Sequence, residues 1–280
     1  MGTADDAQKG RDPIGAARDV AGAAGGAIGS ARAEAGERLG AARDAAGRQV
    51  AAARETAAIA AHAAAHKLSR KPRLRGVSHQ WAFFLSLGAG IALVLAADTT
   101  EAILAMSVYA FSLSAMLGTS ALYHRVTWTP ERRRWMRRLD HTMIFVFIAG
   151  TYTPFALLVM HGTLADLVLI VVWASAVAGI ILNLLWVSAP KWFSSVVYVS
   201  TGSVAIVTLP QLWEETGPGG VGLLALGGAL YTAGAVVYAR RRPDPRPEVF
   251  GYHEIFHVLV IAAAAVQYAA VAIYALPAGQ

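Results

Sequence analysis

Four side chains in the 280-residue sequence have the chemistry of a metal site: His124, Asp140, His253 and His257. The chain has no cysteine, so thiolate ligands, thiol nucleophiles and disulfides are excluded, and a metal must be held by His, Asp or Glu. His253 and His257 are four residues apart, which places both imidazoles on one helical face, one turn from each other. Three imidazoles that leave one position open are the pattern of a catalytic zinc centre. Asp140 is suited to orient a ligand or the water from outside the coordination shell. The run from His253 through Glu254 to His257 also reads as HExxH, in which the glutamate would be the general base of a zinc protease. Such enzymes usually take their third ligand downstream, and no His, Asp or Glu follows His257. That disfavours a soluble-type zinc protease, and Glu254 reads as a residue facing the membrane interface. A plainer reading stands beside the metal site: histidines at helix ends with no specific task, and Asp140 paired with Arg137 or Arg138.

Long apolar segments must position these residues. Hydrophobic residues make up 56% of the chain and charged residues 15%, against about 45–50% and about 25% in soluble domains. The charge is unevenly spread. Residues 1–78 carry 13 of the 24 Lys+Arg and 8 of the 18 Asp+Glu. The net charge of +6 and pI near 9.8 suggest nucleic-acid binding at first sight, but the basic residues lie between apolar runs and read as topology signals. No nucleic-acid partner is expected. The pattern predicts an all-α membrane protein with seven transmembrane helices near 79–97, 102–124, 139–160, 164–187, 193–213, 219–239 and 252–276. Each has about the 20 residues needed to cross roughly 30 Å of hydrocarbon. The runs are too long for strands, and an outer-membrane barrel would show short alternating segments instead. Pro154 and Pro210 fall inside or at the end of spans, where they are expected to kink the helix.

The loops set the orientation. Sixteen Lys and Arg residues, from Lys67 to Arg246, fall on one side of this arrangement and none on the other, which holds Asp98, Glu101, Asp166, Glu214 and Glu215. The positive-inside rule then predicts a cytoplasmic N-terminus and an outside C-terminus in the inner (plasma) membrane. In that topology His124 ends the second span, Asp140 begins the third, and His253 and His257 begin the seventh, all at the cytoplasmic side. Ionisable residues within spans are costly and are functional candidates by default.

Residues 1–72 read as an Ala/Gly/Arg-rich cytoplasmic tail, disordered or loosely helical, and residues 73–280 as the membrane domain. No apolar stretch follows Met1, so a cleavable signal peptide is not expected. The tail repeats itself loosely, with GAARD at 15–19 echoed by AARDAAG at 41–47. A surface-lying amphipathic helix is the functional alternative, weakened by alanine's poor membrane anchoring. His62 and His66 are spaced as a metal pair but have no third ligand near them in sequence, so chance is the simpler account.

Four stretches carry a family likeness: Ser120-Ala121-Leu122-Tyr123-His124, Leu139-Asp140-His141-Thr142-Met143-Ile144, Gly150-Thr151-Tyr152-Thr153-Pro154-Phe155, and His253 through Val260. Together they resemble the hemolysin III branch of the progestin and adipoQ receptor superfamily, over roughly residues 73–276. The resemblance implies a seven-helix bundle with an inside N-terminus and one zinc ion. By motif matching its ligands are His124, His253 and His257, with Asp140 and Ser120 in the surrounding shell or binding water. Two positions depart from the adiponectin-receptor pattern: Glu254 stands where those receptors have glutamine, and His141 where they have an aromatic residue. The latter leaves open a fourth imidazole near the site.

The leading functional expectation is a zinc-dependent hydrolase of a lipid amide or ester. Asp140 would accept the water's proton, Ser120 would hold Asp140 or the water, and membrane lipid would enter from the bilayer. The resemblance points to ceramide-like lipids for eukaryotic relatives; nothing in the sequence selects a head group or an oligomeric state. The principal alternative is a non-catalytic sensor or regulator of membrane lipid state with structural zinc. A cytolysin is less supported, because the spans lack a polar stripe. A transporter is too, because ionisable residues are nearly absent at mid-membrane, with only Asn183 and Gln267 as polar candidates there.

Overall fold

The computed structural model describes residues 13–69, 72–186 and 189–280. The chain divides into two compact units, Met1–Arg70 and Lys71–Gln280. In the first, α1 (Pro13–Ser69) is a single helix of 57 residues. Alanine, the strongest helix former, dominates it, and an Arg38–Glu34 pair one turn apart at 3.2 Å adds local support. Its large apolar side chains, among them Ile28, Leu39 and Val50, are exposed. His62 and His66 fall on the last turns of α1, where the side chains lie outside the described residues.

The second unit is helical, and its described residues contain no strand beyond an isolated bridge between Arg246 and Phe250. Its elements are α2 (Val77–Leu95), α3 (Thr100–Arg125), α4 (Pro130–Leu158), α5 (Gly162–Leu185), α6 (Lys191–Gly202), α7 (Ala205–Arg240) and α8 (Tyr252–Ala270). A π-helical turn, Val271–Ala275, extends α8. Start signals are local. The Thr99 hydroxyl accepts from the Ala102 N–H at 3.2 Å and Glu101 lies in the first turn of α3. Thr129 accepts from Arg132 N–H at 3.4 Å, with Pro130 at the first helical position of α4. These residues satisfy amide groups that the first helical turn leaves without partners.

Among the described residues, six stretches are long and apolar enough to cross a membrane; one of them is the 50-residue run Lys191–Arg240. A loop was expected between the spans 193–213 and 219–239. The structure reduces it to one residue: Gly217 adopts φ 61°, ψ −169° inside α7 and interrupts the helical backbone there. Only glycine takes that conformation without strain, and Pro218 beyond it supplies no N–H to bridge the break.

α3 is the centre of the unit, packed between α2 and α4, while α4 also packs on α5 and α7 on α8. Its residues Ala102, Ala105, Met106 and Tyr109 have no solvent exposure. By contrast Trp81, Leu85, Leu95, Phe111, Ile170 and Leu185 project outward, each more than 60% exposed, an apolar surface suited to lipid. In lipid, helices associate through close packing of small residues. Gly150 on α4 meets Ser112 on α3 this way, and Gly179 on α5 meets Phe145 on α4. A Cβ at Gly179 would lie 2.5 Å from the Phe145 ring, and Phe145 is only 2% exposed. Gly179→Ala is therefore expected to destabilise the bundle by about 1–3 kcal/mol, the usual cost of overpacking. A lowered thermal midpoint in detergent would show it. Gly88→Ala is the control, since a Cβ there meets nothing within 4 Å.

Candidate metal centre

The site is assembled where the chain enters α2 and α8. Arg73 and Leu74 donate their N–H groups to the carbonyls of Glu248 and Val249 at 3.0 and 3.2 Å, tying the approach to α2 to the approach to α8. Gly76 turns the chain into α2 at φ 78°, and a Cβ there would stand 2.6 Å from the Cβ of His124. Glycine thus serves both the backbone conformation and the close approach to α3. This docking lets the Arg75 guanidinium donate to Oε1 of Glu254 in an ion pair. The other carboxylate oxygen of Glu254 accepts the Gly251 N–H at 2.8 Å and caps α8. Glu254 is 2% exposed. It does not face the interface, as the sequence suggested, and with both oxygens engaged it is poorly placed to serve as an HExxH base. A buried carboxylate is tolerable because it is paired and hydrogen-bonded.

Beside this anchor, α3 and α8 bring three histidines together. His124 ends α3, and His253 and His257 open α8, one turn apart. One ring nitrogen from each lies within 4.8 Å of the others. The Nε2 atoms of His124 and His253 are 3.1 Å apart. All three side chains are buried, His257 to 1% exposure. Nδ1 of His253 and Nδ1 of His257 have no hydrogen-bond partner, although buried polar atoms nearly always find one.

This donor set fits a zinc ion. Zinc–imidazole bonds of about 2.0–2.1 Å put tetrahedral ligand nitrogens about 3.3–3.4 Å apart, close to the 3.1 Å found between His124 and His253. The partnerless nitrogens supply the second argument, since part of the cluster's hydrogen-bonding capacity is unused within the protein. The Asp140 carboxylate stands outside the three-residue cluster. It lines a common cavity with Ser120, His253 and His257, and Ser120 is its side-chain hydrogen-bonding neighbour. Of the two pairings anticipated for Asp140, Arg137 is the arginine whose charge acts on it. His141 approaches Asp140 to 3.7 Å, while its Nδ1 meets the Arg137 carbonyl at 2.8 Å. His141 also lines the cavity.

His79 escaped the sequence reading. Its ring stacks on His257, with centroids 3.8 Å apart and planes 12° from parallel. It is 3% exposed, and both ring nitrogens are buried. The signal was present: a lone titratable residue in the first apolar span, at the end of the span that the other histidines share. The cavity has a volume of about 470 Å³, within the range of small-molecule sites. Away from the histidines its walls are apolar, with Phe147, Phe155, Leu212 and Leu224 among them. It can therefore hold an extended apolar chain with one end at the imidazoles.

Similarity to known proteins follows the same region. Residues 68–268 match the family described as Haemolysin-III related. Hemolysin-3 of Bacillus cereus is 31% identical over 204 residues, covering 72% of this chain and 90% of that one. The human monocyte to macrophage differentiation factor is 28% identical over 189 residues, 66% of this chain and 76% of its own. An adiponectin receptor protein of Drosophila melanogaster is 30% identical over 183 residues, 57% of this chain and 40% of its own.

Proposed function

The chain belongs to the haemolysin-III-related family of the progestin and adipoQ receptor superfamily, a multi-pass membrane protein, and from that premise we propose that it is a zinc-dependent hydrolase of a lipid amide or ester. The observation that carries this reading is the opening of a buried three-histidine cluster onto an apolar cavity that also contains a carboxylate. His124, His253 and His257 would hold the ion. When bound, zinc supplies a Lewis acid that polarises a substrate carbonyl and makes water acidic enough to attack near neutral pH. Asp140 accepts the proton of the attacking water and returns it to the leaving amine or alkoxide. Ser120 donates to Asp140 and keeps its carboxylate oriented. The apolar walls seat the lipid chain and exclude bulk water from the carbonyl carbon.

A second reading, a lipid sensor with structural zinc, draws support from His79. A fourth imidazole against the cluster is what a closed site would need. The test for turnover is metal analysis of the purified protein with a screen of lipid amides and esters. A zinc-loaded protein should release fatty acid, and chelation should stop release until zinc is restored. A zinc-loaded protein inert across the screen would favour the sensor.

The same proposal places seven crossings in the bilayer, with the N-terminus inside and the C-terminus outside. Its support is length and charge. The run Lys191–Arg240 has 50 residues, more than twice the roughly 20 that cross the hydrocarbon, and its backbone breaks at Gly217, so it makes two crossings divided near that residue. All eleven Lys and Arg residues after position 78 then fall on the side of the histidines. A reporter fused after Gln280 is expected to be active only outside the cytoplasm; cytoplasmic activity would reverse the orientation.

A further inference from the structure

Helix α1 belongs to the unit that does not hold the metal centre, yet its sequence is ordered. From Ile28 to Ala60 it falls into three consecutive 11-residue units: IGSARAEAGER, LGAARDAAGRQ and VAAARETAAIA. Each unit opens on a large aliphatic residue (Ile28, Leu39, Val50) and has arginine in fifth place (Arg32, Arg43, Arg54). Its fourth and eighth places are alanine. Eleven residues make three turns at about 3.67 residues each, so equivalent places drift by only about 20° per unit on an α-helix. The period therefore lays straight rows along α1. One row is apolar. It consists of the three aliphatic residues and the alanines of the fourth and eighth places, and Val20 and Ala24 prolong it toward the N-terminus. Ile14 and Ile59 lie off it. Ile28, Leu39 and Val50 are each more than half exposed, so nothing within the protein covers the row.

The charges indicate what does. Arg32, Arg43 and Arg54 run along one edge of the row, and all three are exposed. The other edge carries Arg38, Gln49 and Ala60, and Arg38 is paired with Glu34 at 3.2 Å. The acids of the three units, Glu34, Glu37, Asp44 and Glu55, lie about 100° or more round the helix from the centre of the row. A second copy laid row against row would meet these arginines with edges that hold no acid. An anionic phospholipid surface supplies both missing partners: apolar depth for the row and phosphate oxygens for the guanidinium forks. α1 is not among the stretches apolar enough to cross a membrane, so the surface is where it can bind. Alanine buries little area, and the affinity of one unit is small. Three units act together, however, and α1 ends at Ser69, eight residues before Val77 opens the first membrane helix. That tether makes surface binding intramolecular. We propose that residues 28–60 of α1 bind the surface of an anionic phospholipid membrane, with the apolar row in the headgroup boundary and Arg32, Arg43 and Arg54 on lipid phosphates.

The chain has no cysteine, so one introduced cysteine carries a nitroxide label at a single place. The full-length protein is labelled at Ala46→Cys, within the apolar row, or at Ala52→Cys, away from it. Each is reconstituted in vesicles of phosphatidylcholine alone and of an equal mixture of phosphatidylcholine and phosphatidylglycerol. Electron paramagnetic resonance then reads the access of a water-soluble nickel reagent to the label. The label at 46 should be shielded in the mixed vesicles and open in phosphatidylcholine alone, whereas the label at 52 should be open in both. With the label at 46, the combined Arg32→Gln, Arg43→Gln and Arg54→Gln variant should lower the ratio of bound to free helix in mixed vesicles by roughly a hundredfold, at roughly fivefold for each arginine. Glutamine keeps the helix propensity of arginine, so α1 itself should persist. Equal access at 46 and 52 in the mixed vesicles would overturn the proposal. Shielding at 46 that is the same in both lipids, or that survives the triple variant, would overturn it too. Shielding with spin–spin broadening in both lipids would give the row to a second copy of the chain instead. None of these readouts depends on zinc or turnover, so failure here leaves the hydrolase reading standing.

Discussion

His257→Ala is expected to strip most of the zinc from the purified protein, from roughly one ion per chain to a small fraction, because three protein ligands leave no redundancy. His257 is the most buried of the three, at 1% exposure, so nothing from solvent replaces its imidazole readily. His124→Ala and His253→Ala should behave alike. His79→Ala is the informative contrast. Its ring stacks on His257 without belonging to the cluster, so the hydrolase reading expects zinc to stay. Loss of zinc from His79→Ala would make it a fourth ligand and favour the closed, structural site. Elemental analysis of monodisperse protein decides each case, and retention of zinc by His257→Ala would remove the metal centre proposed here.

Asp140→Asn should separate metal binding from turnover. The amide keeps the size and the hydrogen-bonding reach of the carboxylate but cannot take a proton at neutral pH. With Asp140 outside the histidine cluster, zinc should remain while hydrolysis falls by roughly 10²–10⁴-fold, the span associated with a positioned general base. Unchanged hydrolysis would take the base away from Asp140. Loss of zinc would place its carboxylate on the metal. Ser120→Ala should act in the same direction and more mildly, since Ser120 orients Asp140 without itself moving the proton.

Much of the architecture follows from residue types alone. Apolar runs of about 20 residues leave the backbone no partners in lipid except its own, so helices result. Two histidines four apart must share a helical face. Three of the residues at the site could thus be found by type and spacing: His124 at the end of one apolar run, His253 and His257 at the start of another. The absence of cysteine restricted the ligands to what these residues offer.

Tertiary structure decided what lies between the elements. Glu254 looks like a protease base within HExxH, yet Arg75, 179 residues earlier, claims its carboxylate. No local pattern encodes that pairing, because it arises when the segment at Arg73 and Leu74 docks on Glu248 and Val249. His79 becomes part of the site by the same docking, through a stack on His257 that depends on how α2 meets α8. Gly217 narrows an expected loop to one residue, a choice that rests on a single φ angle. Sequence determined the helical elements and where along them the polar residues fall, because hydrophobic patterning and helical periodicity are local. Which side chains are spent on each other, and which remain free for a ligand, depended on packing between segments far apart in the chain.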